Sequence, residues 1–175
     1  MEAVPAVAVS VSAIPAWTVL IVAGIWLSII DAREHRLPNR IVLPAAVVGA
    51  VLIAIASLQA PDVASLARAL LGGLVTFGAL LMLALPKATG MGMGDVKLGL
   101  LTGLYLGWLG WTPVVLGLCV AFLLAGGWAV ALLAVGRAQR RTAIAFGPFM
   151  IVGALSCAVW ALAITIPPLT AGLSG

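Results

Sequence analysis

Ile14-Pro15-Ala16-Trp17-Thr18-Val19-Leu20-Ile21-Val22-Ala23-Gly24-Ile25-Trp26-Leu27-Ser28-Ile29-Ile30-Asp31 is an uncharged apolar run closed by a carboxylate. A helix over it rises about 27 Å, close to the roughly 30 Å hydrocarbon core of a bilayer. The stretch therefore predicts a membrane span with an acid at one end. The rest of the chain repeats the pattern. Of 175 residues, 64% are hydrophobic and 8% charged, and the mean hydropathy is +1.27. Soluble domains carry about 25% charged residues, so the soluble classes are excluded.

Six spans fit the hydropathy: 14–31, 41–59, 66–86, 96–112, 113–135 and 144–167. Polar stretches between them are no longer than short loops, so residues 1–175 read as one all-α domain, a polytopic bundle of transmembrane helices. Gly72-Gly73 and Gly78 predict close helix contact in the third span. Gly107-Trp108-Leu109-Gly110-Trp111-Thr112-Pro113 reads as a brief turn between the fourth and fifth, with Trp108 and Trp111 as interface anchors. Residues 1–13 carry Glu2, Pro5 and no basic cluster, a poor signal peptide; the first span reads as retained, and residues 3–13 could lie along the membrane.

Charge sets the orientation. Arg33, Arg36 and Arg40 follow the first span, Lys87 and Lys97 flank the third loop, and Arg137, Arg140 and Arg141 sit in the fifth; only Arg68, near Asp62, falls opposite. Loops rich in Lys and Arg stay cytoplasmic, so both termini are expected outside, and Asp31 shares the cytoplasmic boundary with a second acid, Asp95. The net charge of +4 suits anionic lipid headgroups. No basic stripe interleaved with aromatics points to nucleic acid. Cys119 and Cys157 lie in apolar spans and read as small buried hydrophobes. One His and scattered acids make no zinc site.

Asp95 closes Gly92-Met93-Gly94-Asp95 at the start of the fourth span. Ionisable groups near bilayer depth are costly and point to function. Two acids at one depth can share a proton: the ionised one takes a proton from water while the protonated one donates to a carbonyl oxygen. Gly90, Gly92 and Gly94 would let an extended substrate strand approach the backbone. A helix start favours an ionised Asp95, and Lys97 could orient substrate. Each feature also has a plain reading: Asp31 as a helix end, Asp95 as an N-cap, the glycines as packing residues, Lys97 as a positive-inside anchor, and Glu34-His35-Arg36 as a solvated loop. Read together, the acids point to a catalytic pair. A proton-coupled transporter using the same acids is the alternative, although no internal repeat is visible and both acids lie at one face.

Three stretches carry a resemblance. Asp31 followed by Leu37-Pro38-Asn39, Gly92-Met93-Gly94-Asp95-Val96-Lys97-Leu98, and Ala145-Phe146-Gly147-Pro148-Phe149 resemble, in order and spacing, the motifs of the type IV prepilin peptidases, which are G-x-G-D membrane aspartic proteases. Ala145 stands where the family has its first proline. The resemblance spans roughly residues 15–165. It implies an Asp31/Asp95 catalytic pair acting without metal or organic cofactor, on the short basic leader of a prepilin or pseudopilin, at the cytoplasmic face of the inner membrane. Gly92, Gly94, Lys97, Pro38, Asn39, Gly147 and Pro148 would support the site or bind substrate, with Gly147-Pro148 as a rigid break before the last helix. No C-x-x-C pair occurs, so the resemblance is to the short, peptidase-only form and methyl transfer is not expected. Presenilin-like proteases share the second motif, but their first acid sits in a Tyr-Asp pair, not in Ile30-Asp31. Oligomeric state is not legible.

Overall fold

The computed structural model describes residues 4–5, 8, 10–34, 37–59, 62–86, 91–136 and 145–165. Among these, a short 3-10 turn at Val11–Ala13 leads into six helices: α1 (Ile14–Glu34), α2 (Asn39–Gln59), α3 (Val63–Ala84), α4 (Met93–Leu109), α5 (Trp111–Ala134) and α6 (Gly147–Thr165). Five are long and apolar enough to cross a membrane. The chain is a helical, multi-pass membrane protein.

The exception is α4, which overlaps the stretch expected as the fourth span, 96–112, but starts and ends three residues earlier. At 17 residues it is the shortest of the six, and Val96, Leu98, Gly99 and every residue from Leu101 to Leu109 are buried. Hydropathy marks α4 as apolar, yet that surface meets other helices and not lipid. The expected turn over 107–113 contracts to Gly110, whose φ of 150° is a conformation essentially reserved for glycine. Trp108, expected as an interface anchor, is fully buried. Its indole donates to Ser57 Oγ at 3.2 Å and stacks on Trp17 at 6.2 Å. Beside it, the Tyr105 hydroxyl donates to the Ala16 carbonyl at 2.7 Å, tying α4 to the start of α1.

The closest helix pairing, α3 on α4, follows from missing side chains. Gly99, Gly103 and Gly107 recur every four residues, one face of a helix. A Cβ on Gly103 would lie 2.6 Å from the Gly72 carbonyl oxygen, and one on Gly72 would lie 2.8 Å from the Gly107 Cα. The backbones touch, as small residues permit in membrane bundles. Gly73 joins this seam, whereas Gly78, also expected to pack, has nothing within 4 Å. The N-terminal residues tuck inward: Val4, Ala8 and Ala13 are buried, and the Ala8 carbonyl accepts the Trp17 indole N–H at 3.0 Å. Residues 4, 8 and 13 therefore pack against the bundle. Asp62, opposite the acids, caps α3 by accepting the Ser65 N–H at 3.0 Å. Cys157 is buried as expected, but Cys119 is exposed on α5, because α5 turns most of its surface outward.

Candidate catalytic site

The buried residues of α1 are Ala16, Leu20, Gly24, Leu27 and Asp31. Steps of four and three keep them on one stripe, so Asp31 is the last member of the helix's inward face. It is 4% exposed. A buried carboxylate needs donors, and one comes from far along the chain: the Gly147 N–H at the start of α6 donates to Asp31 Oδ2 at 2.9 Å. The site end of the bundle is thus built by α1, α4 and α6.

Asp95 reaches the same place from α4. Gly92 is the N-cap, in extended conformation, and Asp95 lies in the first helical turn. Its Oδ2 accepts the Gly92 N–H at 3.3 Å, so a glycine amide holds each acid. Asp95 is half-buried and lies outside the five apolar crossing segments. Its carboxyl is pushed up to about 6, first by burial and then by the charge of Asp31, against the pull of the Gly92 N–H. Two acids far apart in sequence are therefore electrostatic neighbours, the condition for holding one proton between them.

The first two motifs meet directly. A Cβ on Gly94 would lie 2.7 Å from the Leu37 Cβ, so Leu37 sits on the Gly92–Asp95 turn. The space beside Gly94, expected to be left for substrate, is filled by the protein itself. Gly92 is exposed, and a side chain there would meet only Asp95 Oδ2 at 3.5 Å and Gly94 N at 3.9 Å; the open approach is at Gly92. Pro38 is half-buried, and its carbonyl accepts the N–H groups of Ile41 and Val42 at 3.0 and 3.2 Å, which starts α2. Asn39 is the first residue of α2; its side chain lies outside the described residues, as do His35, Arg36, Lys87 and Gly90. Lys97 is half-buried on α4, two positions from Asp95 and so not on the same helix face.

Gly147 and Pro148 open α6. Ahead of them Phe146 is buried, its ring 4.9 Å from that of Phe122 on α5. Gly147 is among the expected supporting residues, whereas its amide contact with Asp31 and the Leu37–Gly94 contact are what the sequence does not show. Both join segments distant in the chain, and only their presence inside quoted motifs hinted at them.

No curated protein and no solved structure matches this chain. A family model does: that of the type IV leader peptidase family, over residues 18–166. That match takes in α1 from its second turn, both acids and all of α6. This chain belongs to the type IV leader peptidase family.

Proposed function

We propose that this chain is an aspartic-type endopeptidase that removes the short basic leader of type IV prepilins or prepilin-like proteins, using Asp31 and Asp95 to activate water. The observation that carries the reading is the meeting of these two acids at one end of the bundle, one buried and one half-buried, with the charge of Asp31 raising the carboxyl of Asp95. Burial and the charge of Asp31 push the Asp95 carboxyl up to about 6, which supports Asp95 as the proton donor and leaves the base role to Asp31.

Asp31 takes a proton from water as the oxygen attacks the scissile carbonyl carbon, and Asp95 gives its proton to the carbonyl oxygen. In the collapse of the tetrahedral adduct a proton passes from Asp31 to the departing nitrogen, the C–N bond breaks, and Asp95 recovers its proton. One water is consumed, and the pair returns to its starting charge. The distribution of Lys and Arg between loops supports a site at the cytoplasmic face of the inner membrane, where a basic leader and an apolar pilin helix would straddle the boundary.

The test is co-expression with prepilins of the same genome and mass spectrometry of their N-termini. Wild type removes the leader, whereas Asp31→Asn and Asp95→Asn insert normally and do not. Cleavage by either variant would refute the dyad. An intact leader with inserted wild type would refute the substrate class.

A further inference from the structure

We infer that Gly147 is a positioning residue for Asp31, and that the Phe146-Gly147-Pro148 corner exists to aim one backbone amide at that carboxylate. The inference rests on the catalytic reading of Asp31 and adds α6 as the third element of the site. Three observations converge. The Gly147 N–H lies 2.9 Å from Asp31 Oδ2. A Cβ at 147 would lie 2.7 Å from that same oxygen and 3.2 Å from the carboxyl carbon, so the carboxylate occupies the space of the missing side chain. Third, the corner is fixed on both sides. The Phe146 ring is buried against Phe122, and the Phe146 carbonyl accepts the Met150 N–H at 3.1 Å. Pro148 has a locked φ and offers no N–H of its own.

The residue pair is chemically specific. A residue before proline is disfavoured in the helical region partly because its Cβ meets the proline ring. Glycine removes that Cβ, so Gly147 can be the first residue of α6 and still precede Pro148. The same absent Cβ lets the carboxylate come within hydrogen-bond distance of the amide. Gly147 touches no reacting atom. It fixes the oxygen of Asp31 that is not needed to meet water, and so sets where the other oxygen points.

The experiment uses the full chain in membranes, with a prepilin leader substrate, comparing wild type, Gly147→Ala, Pro148→Ala and Gly78→Ala. Gly78 has nothing within 4 Å, so Gly78→Ala leaves kcat unchanged. Gly147→Ala lowers kcat on the order of 100-fold, the scale of an ångström misplacement of a catalytic group, with KM within about threefold. Kcat is expressed per folded molecule, so a merely structural role would leave it unmoved. If Gly147→Ala fails to fold, Pro148→Ala decides: it keeps the amide but frees its direction, and kcat falls several-fold at constant KM. Wild-type kcat in the folded variant overturns the inference while leaving the dyad standing. A readout without activity separates the two readings: in glycine-labelled protein the Gly147 amide proton resonates downfield, and Asp31→Ala moves it upfield. No shift on Asp31→Ala overturns the inference.

Discussion

Gly103 offers a sharp test of how the bundle holds Asp95 in place. A Cβ at this position would lie 2.5 Å from Thr76 Oγ1, 2.6 Å from the Gly72 carbonyl oxygen and 2.7 Å from Thr76 Cβ. Ordinary contacts begin near 3.4 Å, so Gly103→Ala requires α3 and α4 to part by nearly 1 Å. The Gly72 carbonyl and the Thr76 Cβ are fixed to their helix backbone and cannot rotate aside. Overpacking of this kind costs about 1–3 kcal/mol, offset by about 1 kcal/mol of helix propensity gained on replacing glycine. Gly78→Ala gains the propensity without the clash. The two variants should differ by about 2 kcal/mol, which for a chain of this size is roughly 4–8 °C in Tm. Thermal unfolding of both, in one detergent, measures this directly, and leader cleavage below the transition reports whether a displaced α4 carries Asp95 out of place. Equal Tm values would refute the claim that α3 and α4 pack backbone to backbone.

Asp95 makes a prediction about pH. Its carboxyl lies above the ordinary 3.8, at about 6, so the protonated donor is lost as pH rises through that value. In the free enzyme kcat/KM should fall about tenfold per pH unit above it; a flat profile from about pH 5 to 8 would sink the donor assignment. The sign for stability is the same: protonation favours the folded state, the contribution is complete below about 3.8, and it disappears as pH climbs past 6. The glycines of the second motif should separate. Gly94→Ala collides with Leu37 and should cut cleavage about tenfold through misplacement of the turn, whereas Gly92→Ala, facing open space, should cut it less; cleavage assays on inserted protein in which Gly92→Ala proves the worse would contradict the Leu37 contact.

The helices were legible because hydropathy is a local property: the apolar runs 14–31, 41–59 and 66–86 overlap α1, α2 and α3 to within a few residues. Hydropathy could not say which apolar helix is surrounded by protein. Lipid and protein interior are equally apolar, so α4 and α5 look alike in sequence although one is nearly all buried and the other mostly exposed. The misplaced expectations for Trp108 and Cys119 share that cause. A clue to α4 was present in Gly99, Gly103 and Gly107, whose spacing of four marks a face that approaches another backbone. Sequence therefore located both acids but not what positions them.

What holds the acids explains why their motifs extend past the carboxylates. Leu37 of the first motif covers Gly94 of the second, and Gly147 of the third donates to Asp31 of the first. Each motif thus supplies a part whose partner lies in another. A carboxylate at an apolar boundary is costly unless donors meet it, and a backbone amide is a donor that brings no further charge and no side-chain rotamers to order. At 147 glycine is what lets the amide come this close, because a Cβ there would lie 2.7 Å from Asp31 Oδ2. At 92 a Cβ would make only an ordinary 3.5 Å contact with Asp95 Oδ2, so the N–H that meets Asp95 does not itself demand a glycine. The third glycine, 94, makes room for Leu37, which packs the turn that aims Asp95.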